Sequence, residues 1–319
     1  VEERPAKTYM YFVITILFWG GAWVAAKMVV AEIHPYVAGS IRFVLAFFIL
    51  FPFLIAQEGR GALLRWRDVP VLAFQGATGV FLYNVMFLRG MQTTSAINGS
   101  LIVAAGPVIT ALVSSVYLRE RVGLRQLAGF AVSLAGVLVI VSQGSWQVLR
   151  QIHFNPGDVL IGIAVISWSL YSVGGKVAMQ RISPLANTTY SCGLGAIMLS
   201  LLAWPYFNDA GLFSASGQAI GALIYLAVFA SAIAFFTWFK GVQQIGASRA
   251  AVFLYLVPVT AALHAIPILD ERVRGYHLIG ALLVSSGVYV ATHLQSRSRQ
   301  VEPAGSALPV QHAEHTSYR

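Results

Sequence analysis

Ten stretches of this 319-residue chain are apolar for about 20 residues each, and that recurring length limits the fold more than any motif does. They fall at roughly 8–31, 36–56, 69–91, 94–118, 124–142, 157–179, 185–206, 217–240, 247–268 and 276–294. An apolar helix of about 20 residues crosses a hydrocarbon layer of about 30 Å. Charged residues make up only 10% of the chain, and its mean hydropathy is +0.72. A soluble domain carries about 25% charge, and a chain this poor in it would expose large apolar patches in water. Lipid is therefore the expected solvent. The alternating pattern of a membrane β-barrel is missing. The expected fold class is all-α, because every backbone polar group in lipid must be satisfied inside its own segment. The first block exceeds the apolar core of a signal peptide and no clear cleavage site follows it, so it reads as a permanent helix.

The positions of the charges say more than the net charge of +9. With the N-terminus in the cytoplasm, 13 Lys and Arg lie at cytoplasmic helix ends and loops. The outer loops hold 4, namely Arg89, Arg150, Arg272 and Arg274. The positive-inside rule then places both termini in the cytoplasm of a cell whose inner membrane holds the chain. The basic excess reads as this bias plus attraction to anionic lipid, and no nucleic-acid partner is expected. The single cysteine, Cys192, can form no internal disulfide, and His293, His312 and His315 are too loosely spaced for a metal. No phosphate-cradling glycine loop or catalytic carboxylate pair is present, so neither an enzyme nor a cofactor is expected. Residues 295–319 are polar and aperiodic, and read as a disordered cytoplasmic tail.

One small charged phrase is written twice: LRERV at 118–122 and LDERV at 269–273, 151 positions apart. At the same offset Gly90 meets Gly241, Pro107 meets Pro258, and Gly129 and Gly136 meet Gly280 and Gly287. Earlier in the halves the offset is 149, where Trp19 meets Trp168, Lys27 meets Lys176 and Pro35 meets Pro184. Each half then holds five helices. Five is odd, so the second half enters the membrane from the opposite side. The expected domains are a first repeat at 1–142, an outer linker at 143–156, a second repeat at 157–294 and the tail. Inverted repeats mark secondary transporters, whose site lies near the bilayer midplane between the repeats.

The pattern Pro, apolar run, Leu-x-Glu-Arg-Val-Gly, then Gln126-Leu127-x-Gly129 and Gly136-Val137, resembles the EamA domain of the drug/metabolite transporter superfamily. So does the run from Pro258 through Glu271 to His277-Leu278-x-Gly280 and Gly287-Val288. FWGGAWVAAK at 18–27 and IRF at 41–43 look like that family's first two helices. The resemblance covers residues 10–293. It implies a ten-helix exporter of small metabolites, often amino acids, working by alternating access.

A charge at the bilayer centre costs about 2.5–3.5 kcal/mol on insertion scales, so one kept there invites a functional reading. Arg42 stands about seven residues into the second helix, on the order of 10 Å below the outer surface. Its planar fork suits a substrate carboxylate; the alternative is a structural arginine bonded to carbonyls or to Glu32. Lys27 and Lys176 read either as snorkelling residues or as cationic vestibules on the two faces. Trp19, Trp23 and Lys27 share one helix face. His264, in the ninth helix, is either a hydrogen-bonded core residue or a proton relay. Tyr83, Asn84, Asn98, Trp168, Tyr171, Tyr190, Trp238 and Tyr255 are each ordinary belt or packing residues, but together could wall a cavity for an amphiphilic solute. Glu120 and Glu271 each precede a helix whose dipole an acid complements; gate locking is the rival role. Pro107 and Pro258 read as kinks. The glycines seven apart on helices 5 and 10 suggest tight packing, as a scaffold or as a homodimer seam. These readings predict a transporter of an amino acid or related zwitterionic solute, and the family resemblance implies that it is an exporter. Its rivals are a flippase for a lipid-linked sugar or head group and, less favoured, a membrane-embedded enzyme.

Overall fold

A computed structural model describes residues 5–93, 102–151, 155–269 and 274–293. Among these the chain is helical, with no strand. Eight helices are long and apolar enough to cross a membrane. They are α1 (Ala6–Val30), α2 (Pro35–Glu58), α3 (Trp66–Gly90), α5 (Leu124–Val141), α6 (Pro156–Ala178), α7 (Pro184–Tyr206), α8 (Gly217–Ile245) and α10 (Gly275–Thr292). Two shorter apolar helices are α4 (Ile102–Tyr117) and α9 (Ala247–Ala261). The helical path of α9 continues to Leu269. A one-turn helix, Trp146–Arg150, stands between α5 and α6.

Local chemistry fixes the ends. α6 starts on Asn155, whose side chain accepts from the Gly157 and Asp158 amides, while Asp158 accepts from the Asn155 amide at 2.8 Å. This reciprocal cap, with Pro156 behind it, uses amides that have no partner within the helix. Ser183 and Ser216 cap α7 and α8 more simply, each hydroxyl accepting one amide, from Ala186 and Ala219. The apolar block at 217–240 ends on Lys240, yet α8 runs on to Ile245 and stops at Gly246, where φ is +86°. A positive φ suits glycine, so the backbone and not the first charge ends this helix.

The long helices pair antiparallel. Along α1 and α8, Thr8 meets Gln244, Thr15 meets Thr237 at 2.7 Å, and Glu32 beyond the end of α1 meets Ser216. α3 and α6 run opposite ways, with Gly79 under the Tyr171 ring and Gly90 against Ile161. α2 and α7 are joined at one end by Glu58 and Ser183 and at the other by the His34 amide and the Ala210 carbonyl. α5 lies on α10. A methyl group placed on Gly136 would stand 2.8 Å from the Gly280 carbonyl oxygen, and one on Gly129 would stand 2.6 Å from that of Gly287. The glycine stripes therefore close on each other within one chain. That is the scaffold packing expected of them, and the faces left outward carry Leu127, Leu278 and Leu282.

Two long helices are not α-helical throughout. α3 holds a π-helical stretch at Gly76–Leu82, and α8 holds one at Leu226–Ile233. Shifted by 151, the first falls almost on the second. A π turn carries one extra residue and loosens the backbone ladder. Small residues fill both stretches, and at Gly76 the backbone of α7 approaches so closely that a Cβ would lie 2.7 Å from the Gly195 amide. The two prolines predicted as kinks follow comparable breaks. Pro107 opens the regular part of α4 just after a turn at Ala105, and Pro258 follows the 3-10 stretch Val252–Leu256.

Candidate functional site

The π stretch of α8 organises the centre of the molecule. Trp19 on α1 donates its indole N–H to the Ala230 carbonyl at 3.0 Å. Arg42 on α2 donates its Nε to the Ser231 hydroxyl at 2.5 Å. A loosened helical turn leaves such groups free to take partners from other helices. On α3 the matching stretch does the same, where the Thr78 carbonyl accepts from Ser167 of α6 at 2.8 Å.

Around these anchors lies a continuous aromatic cluster. Trp19 and Trp168 meet edge to face, with centroids 5.1 Å apart. Both contact Phe235 and Trp238. Tyr83 and Tyr171 flank Trp168 at 5.5 and 5.4 Å. The Arg42 guanidinium stands 4.8 Å from the Phe43 ring centroid, and Phe43 in turn packs on Phe235. Edge-to-face rings each contribute about 0.5–1.5 kcal/mol beyond burial. The Trp238 indole N–H and the Tyr255 hydroxyl are buried with no hydrogen-bond partner among the described residues. Unpaired buried donors are rare, and each calls for a physical reason.

The structure thus brings Arg42, Trp19, Tyr83, Trp168, Tyr171 and Trp238 together, and it leaves other candidates elsewhere. Tyr190 lies at one end of the bundle in a small cleft with Glu58, Arg65 and Arg181. Asn84 bonds back to the Val80 carbonyl at 2.6 Å, so its amide serves its own helix. His264 places Nδ1 2.7 Å from the Thr260 carbonyl, also on its own helix. Lys27 is exposed. Asn98 and Glu271, and the side chain of Trp23, lie outside the described residues. Phe43, Ser231 and Phe235 were not singled out in the sequence. The small-residue run Ala230-Ser231-Ala232 was the available signal, since small residues mark close helix contact.

Both ends of the bundle are tied by first-half carboxylates reaching second-half helix starts. Glu120 accepts from the Ser114 hydroxyl at 2.7 Å and from the Ser248 amide at 3.1 Å, at the start of α9. The dipole it complements is therefore that of α9, not of the helix that follows it in sequence. Gln126 donates to the Ser248 hydroxyl at 2.7 Å. Beside them Lys176 donates to the Val242 and Gln243 carbonyls at 3.3 and 2.5 Å. It caps the C-terminal end of α8, where a cation meets the favourable end of the dipole. That role was not anticipated, because it depends on α8 passing Lys240.

At the other end Glu32 accepts from the Ser216 amide at 2.6 Å and from its hydroxyl at 2.7 Å, at the start of α8. Glu32 is thereby engaged away from Arg42. The Ser216 bonds hold its pKa below the ordinary value of 4.5. A depressed carboxylate pKa gives stability that is full above the unfolded value and lost as pH falls through the folded one. The thermal midpoints of the wild type and Glu32→Ala should therefore differ at neutral pH and converge on acidification below about pH 4. A gap that stays constant into that range would remove the Glu32–Ser216 tie as a contributor.

Comparison with known proteins follows the same lines. The EamA-like transporter family model matches residues 6–142 and again 155–292. The chain is 30% identical over 277 residues to the uncharacterized transporter YyaM of Bacillus subtilis (strain 168), covering 86% of this chain and 90% of the relative. It is also 30% identical over 224 residues to a probable terminal-alkyne amino-acid exporter of Streptantibioticus cattleyicolor, covering 70% of this chain and 73% of the relative. A protein of known crystal structure shares the fold, with a TM-score of 0.77 at 20% identity, covering 92% of this chain and 99% of the other. With its helices, its twice-matched sequence and its relatives, this multi-pass membrane chain belongs to the EamA-like transporter family.

Proposed function

We propose that this transporter exports an amino acid or related zwitterionic solute by alternating access. It would do so through ten transmembrane helices in two inverted repeats, 1–142 and 157–294, with both termini in the cytoplasm. The observation that carries this reading is the antiparallel pairing of α1 with α8, α3 with α6, α2 with α7 and α5 with α10. Under an exchange of the halves the pairs α2–α7 and α5–α10 map onto themselves, and α1–α8 and α3–α6 map onto each other. The family model's two matches support the same division.

Arg42 is the cation suited to a carboxylate. Its Nε is held by Ser231, which leaves the two terminal amino groups as a planar fork. The aromatic cluster supplies faces for an ammonium group or an apolar side chain. Trp238 Nε1, without a hydrogen-bond partner among the described residues, supplies a further donor. The ties at Glu120 with Lys176 and at Glu32 close the two ends, and releasing one while keeping the other would open the site to one side. An amino-acid cargo is supported by the relative named as a probable amino-acid exporter.

Two measurements test this. Proteoliposomes loaded with an amino-acid mixture should release a subset of it only when they contain the protein. Release of none across the whole set would reject the cargo class. Separately, buried Cys192 leaves a quiet background for thiol labelling. Arg119→Cys and Arg274→Cys, both at exposed positions, should react with an impermeant maleimide from opposite compartments. Labelling of both from one side would break the inverted arrangement.

A further inference from the structure

Away from the aromatic centre, at the end of the bundle that holds Glu32, a cavity of about 470 Å³ lies between the start of α2, the end of α3, the start of α6 and the end of α7. That volume is within the range of small-ligand sites. Its floor is a stack of three rings. His34 lies flat on Tyr206, with centroids 4.3 Å apart and planes 9° apart, and Tyr36 stands edge-on to both at 5.4 and 5.8 Å. Arg89 lines the cavity and donates its Nε to the Tyr36 hydroxyl at 2.5 Å.

The arginine is set in place yet uncompensated. Its Nε bond and its position 5.9 Å from the Tyr36 ring centroid fix the plane of the guanidinium. No carboxylate pairs with it among the described residues, and its electrostatic partners are the hydroxyls of Tyr36 and Tyr206. Glu32 is engaged on Ser216 and Asp158 on the amide of Asn155, while Asp209, exposed on the turn after α7, makes no ion pair with Arg89. The first amides of α6 are taken by the Asn155 side chain, so the helix start adds no free donor there. The positive charge in this cavity is therefore Arg89's own, and its exposed guanidinium meets no carboxylate among the described residues. His34 adds a buried ring nitrogen, Nδ1, that has no hydrogen-bond partner among the described residues. Exposed Thr93 adds a hydroxyl at the rim.

We propose that this cavity is a second binding site, for an oxyanion carried on an apolar or flat organic group. Arg89 grips the carboxylate or phosphate, and the His34–Tyr36–Tyr206 stack receives the remainder. A fixed guanidinium matches the two oxygens of either anion, and ring faces bury the organic part without demanding hydrogen bonds. The same chemistry is offered by the headgroup of an anionic lipid and by a soluble aromatic carboxylate.

The test uses the full chain in lipid nanodiscs and needs no transport assay, so its failure would leave the export reading standing. In mixed phosphatidylcholine and phosphatidylglycerol discs, native mass spectrometry should find phosphatidylglycerol retained by the protein. Retention should be about tenfold weaker for Arg89→Gln and unchanged for Arg150→Gln, which removes a different cation outside the cavity. In discs of phosphatidylcholine alone, sodium benzoate should shift the His34 ring signals, assigned by their loss in His34→Asn. Arg89→Lys keeps the charge but loses the fork, and should fall between wild type and Arg89→Gln in both arms. Retention of the lipid identifies a headgroup as the source, and a benzoate shift identifies a soluble anion. Binding in neither arm, or binding that Arg89→Gln and Arg89→Lys leave at wild-type strength, overturns the site.

Discussion

Arg42→Ala should lower solute efflux from loaded proteoliposomes by about 10- to 100-fold, with the protein still folded. The range follows from the charge-assisted hydrogen bonds that a substrate carboxylate would lose, about 1.5–3 kcal/mol in all. Arg42 is half-buried, its Nε rests on Ser231, and no carboxylate neutralises it among the described residues. A lysine at 42 keeps a charge but cannot bond Ser231 and present a fork at once. Arg42→Lys should therefore recover only part of the rate. Ser231→Ala should loosen the guanidinium without removing it, and should raise the half-saturating solute concentration more than it lowers the maximal rate. Reactivity of Cys192 toward a thiol dye gives the folding control, because this thiol is fully buried in the native chain. Efflux at the wild-type rate from folded Arg42→Ala protein would take this residue out of the proposed site.

Gly136→Val should lower the melting midpoint by several degrees or more. The bare Cα of Gly136 faces the α10 backbone, and an added Cβ would stand 2.8 Å from both the Gly280 oxygen and the Val284 amide nitrogen. Neither is the end of a flexible side chain, so relief requires α5 and α10 to separate along their length. Overpacking of this kind costs about 1–3 kcal/mol and sometimes more. On a chain of this size that is a fall of roughly 2–4 °C in melting midpoint per kcal/mol. The cost should sit at the upper end here, since Gly129, Gly280 and Gly287 meet the opposing helix just as closely. Gly221→Ala, where nothing lies within 4 Å of an added Cβ, should leave the midpoint near wild type. A Gly136→Val protein as stable as Gly221→Ala would mean that the seam is far looser than described. Thermal release of the Cys192 thiol reports both midpoints.

The helices were legible in the chain because lipid imposes one demand on all of them, an apolar length. Hydropathy alone therefore located α2 and α7 to within a residue or two of their observed starts. The π stretches in α3 and α8 were not legible. An apolar run looks the same whether its backbone bonds reach back four residues or five. Without those stretches Ser231 had no visible reason to meet Arg42, nor Ala230 to meet Trp19. Trp19 and Trp168 could be matched by their offset, but their contact depends on how α1 and α6 lean together. Lys176 and Glu120 were read from their own helices. Their partners lie more than sixty positions away, at the ends of α8 and α9, where no local pattern points.

Glu32, Glu58 and Glu120 share a further property. Each is made before residue 142, and each takes a hydrogen bond at the start of a helix made after residue 182, Glu120 in addition to its bond from Ser114. While the chain is being synthesised, these three acids wait at the membrane surface for partners that the ribosome has not yet delivered. The early half is thus left incomplete by design of its own polar groups. Assembly ends only when the late helices arrive to receive them, and a chain halted midway leaves Glu32 and Glu58 without these partners and Glu120 with Ser114 alone.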